Sequence, residues 1–300
     1  MMFEIWRREW DSNPRDHYSH RLSRRDIPYY SIQKALDIPA YTEFLRVDLQ
    51  LAPSTVKGYS FMANEFITYL ENRPITENEV RTYLKGFLTS STSTYANRLK
   101  GLRHYLRDWL GLKDLAMQFK FPEQRWIPTQ APKKDELQLF YHNLTTLESK
   151  TAFLLWATSG KRRNEIINLT KDQLDIKNNL IIPPKNNSRT KHEWYAYFNE
   201  ECTKILTEYL STIKGKENIF SKKQVREEFE KTYTTTDIHI TPKRLRDWFC
   251  QEMGELGVPD RFIDAFCGRS PKSVLARHYS DYSPDRLKLI YDKAGLKVLS

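Results

Sequence analysis

The stretch Pro53-Ser54-Thr55-Val56-Lys57-Gly58-Tyr59-Ser60-Phe61-Met62-Ala63-Asn64-Glu65-Phe66-Ile67-Thr68-Tyr69-Leu70 sets the fold class of the N-terminal half. Val56, Tyr59, Met62, Ala63, Phe66, Ile67 and Leu70 recur at spacings of three and four, which places them on one face of a helix. Ser54 or Thr55 is the expected N-cap, and the helix then runs from Val56 to Leu70. Upstream, Ala40 to Leu51 brings Tyr41, Phe44, Leu45, Val47 and Leu49 near one face, and Ala52-Pro53 breaks that run. Downstream, Thr76 followed by Glu79 reads as a capping box for a helix over Glu77 to Thr89. Ser91 to Trp109 predicts a fourth helix, with Tyr95, Leu99, Leu102, Tyr105, Leu106 and Trp109 inward. Four amphipathic helices can bury one another's apolar faces in a small bundle. Residues 31–120 are read as that unit, with Lys57, Lys85, Arg98, Lys100 and Arg103 left to face solvent or a polyanion.

On either side the pattern changes. Residues 1–30 are basic, lack sustained periodicity, and read as an arm, either a poorly ordered tail or a source of phosphate contacts. Residues 121–134 hold three prolines and no helical pattern, and read as a linker. From residue 135 to 300 a second domain follows. Helices are predicted over Asp135–Asn143, Ser149–Thr158, Arg163–Asn168, Glu200–Ile213, Lys222–Lys231, Pro242–Gly254, Asp260–Phe266 and Asp285–Ala294. Asn179–Pro183 and Glu193–Phe198 predict two strands around the polar turn Lys185–Lys191. The fold class expected is mainly α with a small β-sheet.

Composition narrows the function. The 300 residues carry 48 Lys plus Arg against 38 Asp plus Glu, a net charge of +10. Such an excess suits a nucleic-acid partner, because each neutralised phosphate releases counterions. No apolar run reaches the ~20 residues of a membrane helix, and residues 1–25 lack a signal peptide's apolar stretch, so a protein that stays in the cytoplasm and off the membrane is expected. Cys202, Cys250 and Cys267 have no Cys-x-x-Cys spacing, and the histidines are scattered, so no metal is expected. There is no Walker-type loop, so no nucleotide cofactor is expected either.

Three segments carry chemistry. In Thr158-Ser159-Gly160-Lys161-Arg162-Arg163-Asn164-Glu165, a small-residue turn feeds arginines into a helix start, where a guanidinium fork can meet a phosphate. In Thr241-Pro242-Lys243-Arg244-Leu245-Arg246, Lys243 and Arg246 share one helix face. In Cys267-Gly268-Arg269 through Ala276-Arg277-His278-Tyr279-Ser280-Asp281-Tyr282, a Gly-Arg turn precedes a short helix ending in tyrosines. Each has a plain alternative: surface arginines at a helix start, a solvated basic face, a tyrosine packed in a core.

Taken together and in this order, the segments resemble the tyrosine recombinase (phage integrase) family. The family's Thr-Gly-x-Arg-x-x-Glu turn corresponds to Ser159-Gly160-Lys161-Arg162-Arg163-Asn164-Glu165. Its His/Lys-x-x-Arg motif corresponds to Lys243-Arg244-Leu245-Arg246, and its Leu-Gly-His with a following tyrosine corresponds to Cys267-Gly268-Arg269 and Tyr279. The likeness covers roughly residues 36 to 295, including the opening Leu51 to Tyr59 of a SAM-like, core-binding four-helix domain that clamps DNA ahead of an α+β catalytic domain. Lys243 stands where histidine is commoner, Arg269 where histidine or tryptophan is, and the gap to Tyr279 is one residue longer than usual. These departures look like archaeal integrases, particularly the fusellovirus type.

The resemblance implies cleavage and rejoining of double-stranded DNA at attachment sites through a 3′-phosphotyrosine. It makes Tyr279 the nucleophile, with Tyr282 its rival. Arg162 and Arg246 clamp the phosphate, Lys243 and Arg269 add charge, and Glu165 orients Arg162. The hairpin supplies Lys185 as the acid for the leaving oxygen, with Arg189 or Lys191 as rivals. Lys57, Arg98, Lys100, Arg103, Lys161, Arg163, Lys191 and Arg244 are expected on DNA. An arginine cannot be deprotonated in a protein, so Arg269 leaves the general base open. A tetramer on two duplexes, in a prokaryotic host, is also implied. The final helix either docks on a neighbouring protomer or packs on its own domain. Asp11-Ser12-Asn13-Pro14 can be encoded as GAT-TCG-AAT-CC, which contains a TTCGAATCC of the tRNA T-arm type. A mobile element that integrates into a tRNA gene is therefore expected. A Xer-like chromosomal resolvase, a type IB topoisomerase and an inactive DNA-binding relative remain as other readings.

Overall fold

Local caps and proline positions explain where most helices begin. The computed structural model describes residues 34–125, 127–184, 194–213, 218–271 and 273–300. Two compact units divide between Trp126 and Ile127.

In the first unit, helix α1 (Ile38–Val47) is capped by the Asp37 carboxylate, which accepts the Ala40 N–H at 2.9 Å. Helix α2 (Pro53–Leu70) starts earlier than the capping rule suggested: Ala52 is its N-cap and Pro53 occupies the first turn. Proline lacks the N–H that a first turn leaves unpaired anyway, and the Thr55 N–H donates to the Ala52 carbonyl at 2.8 Å in place of a hydroxyl cap. Thr76 caps α3 (Glu77–Lys85) by accepting the Glu79 N–H at 3.3 Å. The Glu79 carboxylate does not return to close the box; it receives Arg73 Nη1 at 2.8 Å and the Tyr69 hydroxyl at 3.1 Å. Helix α4 (Thr92–Arg103) passes into a wider π-helical turn, His104–Trp109, which keeps Tyr105 and Leu106 buried. A short helix that periodicity did not show, α5 (Lys113–Gln118), follows. Tyr41, Leu45, Ala63, Phe66, Val80, Leu99 and Tyr105 form the core between these helices. Each of the larger apolar side chains, such as Leu45, Phe66, Val80 and Leu99, contributes about 1.5–3 kcal/mol on burial.

The second unit is built around α7 (Leu147–Ser159), in which every residue from Thr151 to Ser159 is buried. A helix apolar all round must be enclosed. It is flanked by α6 (Lys134–Asn143), α9 (Glu200–Thr212), α10 (Lys222–Thr236) and α11 (Pro242–Glu255). The short α8 (Arg163–Ile167), with Arg162 as its N-cap, follows the Gly160 turn that ends α7. Three two-residue strands form one antiparallel sheet in the order β1 (Leu174–Asp175), β2 (Leu180–Ile181), β3 (Ala196–Tyr197), with Leu174 opposite Ile181 and Leu180 opposite Tyr197. The expected pair of strands is present, though shorter, and β1 is an addition too brief to show a period. The architecture is therefore mainly helical with a small sheet, as the sequence led us to expect.

Helices α12 (Asp260–Phe266), α13 (Val274–His278) and α14 (Pro284–Ala294) complete the chain. In the single chain the last helix packs on its own domain. Leu287 and Tyr291 are buried, and the Tyr291 hydroxyl donates to the Thr158 carbonyl at 2.8 Å. Beyond α14, Glu201 accepts the N–H groups of Val298 at 2.8 Å and Leu299 at 3.0 Å, which fastens the C-terminal residues. No described helix is long and apolar enough to cross a membrane.

Candidate active site

The arginines of the first and second motifs are gathered by backbone carbonyls. At the end of α7, Gly160 turns the chain with φ +64°. A Cβ there would lie 2.5 Å from two ring carbons of Phe249 and 3.1 Å from Cys267 Sγ, so only glycine fits. The turn points the Gly160 carbonyl at α11, where Arg246 Nη1 donates to it at 2.8 Å. Arg246 Nη2 donates to the Cys267 carbonyl at 2.8 Å. One residue on, the Gly268 carbonyl accepts from Arg162 Nη2 at 2.9 Å. Arg162 and Arg246 are thus anchored on adjacent carbonyls of the same turn.

Their charges are balanced differently. Arg162 Nη1 is paired with Glu165 Oε1 at 2.7 Å, and Glu165 Oε2 also accepts the Arg162 backbone N–H at 2.8 Å. Arg246 has no carboxylate partner among the described residues. A guanidinium has five N–H donors, and carbonyls neutralise none of its charge. A half-buried guanidinium held this way is prepared for an external anion.

Arg269 sits on the same turn. Its Nη1 pairs with Asp264 Oδ1 at 3.1 Å, and its Nη2 lies 3.7 Å from Cys250 Sγ. Asp264 and Cys250 are contacts that no motif signalled. Cys250 and Cys267 lie with their sulfurs 3.3 Å apart. Lys243 is exposed on the first turn of α11, whose N-cap Thr241 accepts the Arg244 N–H at 3.3 Å.

The two tyrosines are in different states. The Tyr282 hydroxyl donates to the Ala276 carbonyl at 2.7 Å, and its ring meets Phe262 edge-on at 6.0 Å. Tyr279, at the C-cap of α13, is 78% exposed. Tyr282 thereby pins the segment from which Tyr279 projects. Trp194, Gly268, Arg269, Arg277 and Tyr282 surround a cavity of ≈ 290 Å³.

Several residues expected on DNA make contacts within the chain. Lys161 is 2% exposed, and its Nζ donates to the Trp194 carbonyl at 2.7 Å. It is a buried tie between the first motif and the end of the hairpin, because a lysine drawn inside must spend its donors on local acceptors. Arg98 is paired with Glu65 and lies over the Phe87 ring at 4.8 Å. Arg103 donates to the Phe119 carbonyl and lies over the Phe121 ring at 4.3 Å. Both are engaged within the helical unit, whereas Lys57 and Lys100 are exposed. Arg163 is exposed at a cleft of ≈ 260 Å³ that Lys222, Arg226 and His239 also line, and Arg244 is half-buried. Lys185, Arg189, Lys191, the arm of residues 1–30 and its Asp11–Pro14 stretch lie outside the described residues. Among the described residues, no group of three or more His, Cys, Asp and Glu is arranged to hold a metal ion.

Residues 132–286 match the model of the phage integrase family. The chain is 26% identical over 266 residues to tyrosine recombinase XerA of Thermococcus onnurineus, covering 82% of this chain and 90% of that one. It is 19% identical over 181 residues to tyrosine recombinase XerA of Saccharolobus solfataricus, covering 56% of this chain and 62% of that one. Among solved structures, lambda integrase bound to DNA superposes with a TM-score of 0.63 at 13% identity, covering 83% of this chain and 96% of that chain. The Tn1549 transposon integrase in complex with circular intermediate DNA gives 0.62 at 13% identity, covering 84% and 98%. At these identities the structural likeness concerns the fold.

Proposed function

This chain belongs to the phage integrase family of tyrosine site-specific recombinases, and on that premise we propose that it cuts and rejoins duplex DNA at attachment sites through Tyr279. The observation that carries this reading is the pair of arginines on one turn, with Arg246 held by carbonyls alone, beside a segment that exposes Tyr279 and ties down Tyr282.

In the proposed reaction the Tyr279 hydroxyl oxygen attacks the scissile phosphorus. Arg162 and Arg246 neutralise the non-bridging oxygens as charge builds on them. The bond to the 5′-oxygen breaks, and Lys185 gives that oxygen its proton. A 3′-phosphotyrosine remains and conserves the bond for religation. Lys243 and Arg269 add positive charge, and Glu165 keeps the Arg162 fork in orientation. The Tyr279 proton must leave to a base other than Arg269. The helical unit, through Lys57 and Lys100, holds the duplex, and copies of the chain assemble as a tetramer on two duplexes inside a prokaryotic cell.

The finer reading is a mobile-element integrase of the archaeal fusellovirus type that targets a tRNA gene, motivated by the Asp11-Ser12-Asn13-Pro14 stretch. A Xer-like chromosomal resolvase is the second reading, favoured by two XerA relatives.

The test is a nicked suicide duplex carrying TTCGAATCC, incubated with wild type, Tyr279→Phe and Tyr282→Phe. The expected result is a covalent adduct in wild type and Tyr282→Phe, and none in Tyr279→Phe. An adduct that instead needs Tyr282 overturns the nucleophile. Adduct on unrelated duplexes but not on this one overturns the tRNA-gene reading.

A further inference from the structure

Cys250 and Cys267 take no part in the proposed cleavage, yet they sit against its arginines. Cys250 lies on α11 one turn after Arg246, and Cys267 ends α12. Their sulfurs are 3.3 Å apart; Cys267 is buried and Cys250 is partly open to solvent. Arg269 Nη2 approaches Cys250 Sγ to 3.7 Å. The backbone of Cys267 and Gly268 supplies the carbonyls that hold Arg246 and Arg162.

We propose that Cys250 and Cys267 are an oxidisable dithiol, which hydrogen peroxide closes to a disulfide and so displaces the anchors of Arg162 and Arg246. Cys250 is the thiol that reacts first. The hydrogen bond from Cys267, with help from Arg269 and Arg246, holds its thiol down to about 7, and the thiolate is the nucleophile. Cys267 is pushed up by the same neighbour and by burial, so it keeps its proton until the second step.

The Cys250 thiolate attacks one peroxide oxygen and the O–O bond breaks. The departing hydroxide takes a proton and leaves as water, and Cys250 becomes a sulfenic acid. Cys267 then gives up its proton and attacks that sulfur. The S–S bond forms, the S–O bond breaks, and a second water leaves. The two thiols have lost two electrons and the peroxide has gained them.

Closure draws the sulfurs from 3.3 Å to about 2.05 Å. Cys267 Sγ lies against the Gly160 turn, 3.1 Å from where a Cβ at Gly160 would stand. In the proposed oxidised state the backbone at Cys267 moves with its sulfur, and the two carbonyls it and Gly268 supply shift with it. A misplacement of about 1 Å at reacting groups costs on the order of a hundredfold in rate. This last consequence rests on the proposed cleavage function; the dithiol itself does not.

The experiment treats the complete chain with hydrogen peroxide, maps disulfides by mass spectrometry of its peptides, and measures adduct on the nicked duplex before and after dithiothreitol. We expect a Cys250–Cys267 linkage, a fall in adduct of about tenfold or more, and recovery of both on reduction. Cys250→Ala and Cys250→Ser should lose the linkage and show the same adduct yield with and without peroxide. No linkage in wild-type chain that remains folded, or linkage to Cys202 instead, overturns the dithiol. Linkage with undiminished adduct overturns the displacement of the arginines. Linkage in a chain that forms no adduct in either redox state leaves the dithiol standing and strikes at the cleavage reading.

Discussion

Gly160→Ala concentrates the argument for the arginine anchors in one atom. Gly160 has φ +64°, where an alanine costs about 1–2 kcal/mol because its Cβ crowds the following carbonyl. The added Cβ also meets two Phe249 ring carbons at 2.5 Å, and overpacking of a rigid core costs about 1–3 kcal/mol. The sum is about 2–5 kcal/mol, which for a chain of this size lowers Tm on the order of 10 °C. Scanning calorimetry reads it directly. The adduct should fall more than stability does, because the Gly160 carbonyl holds Arg246 Nη1 at 2.8 Å. Combining the change with Phe249→Leu removes the ring carbons, so the double variant should lose about 1–3 kcal/mol less than the two singles added together. If the losses simply add, the clash with Phe249 is not what makes glycine necessary. If Gly160→Ala melts with wild type and forms adduct normally, the turn does not position Arg246.

Three other outcomes follow from particular contacts. Lys161→Met leaves the Trp194 carbonyl without its 2.7 Å donor, and should cost about 1–3 kcal/mol of stability. Its DNA binding should keep the wild-type salt dependence; a slope reduced by about one would mean that Lys161 touches phosphate after all. Glu165→Gln keeps the shape but removes the charge that orients Arg162 at 2.7 Å, so adduct formation should slow by about tenfold to a hundredfold with Tm little changed. An unaltered rate would show that the Glu165 charge does not fix Arg162. The third outcome is set by acid. Burial works against ionisation of Glu201, but N–H donation from Val298 and Leu299, with Asn199 and Ser300, outweighs it and holds the carboxyl below its usual range. A depressed value gives stability that is present above the unfolded value of about 4.3 and is lost as pH falls through the folded one. Protection of the Val298 and Leu299 amides, relative to their intrinsic exchange, should therefore fall below about pH 4, ahead of the core. Protection that persists there until global unfolding would refute the clamp.

The sequence by itself determined the helices whose apolar faces repeat at three and four, as Val56 to Leu70 shows. That signal needs only neighbours within a few turns. It also marked the residue types of the candidate site, because Gly160, Arg162, Lys243, Arg246, Arg269 and Tyr279 occur in a recognisable order. It did not show β1, whose two residues are too few for a period, nor the start of α2, where proline displaced a hydroxyl cap. Tyr279 and Tyr282 stand three residues apart in one turn-rich segment, and only packing separates them: Phe262 and the Ala276 carbonyl claim Tyr282. Lys161 and Arg162 are adjacent in the chain, yet the fold buries one and leaves the other half-open.

The anchors of the arginines were invisible for a deeper reason. Every residue has the same carbonyl, so no sequence can mark which ones Arg162 and Arg246 will use. The partners are 106 and 86 residues away in the chain, and they meet only because α7, α11 and α12 converge at the Gly160 turn. Local chemistry chose the groups that can bind a phosphate, and the packing of distant segments chose where they point.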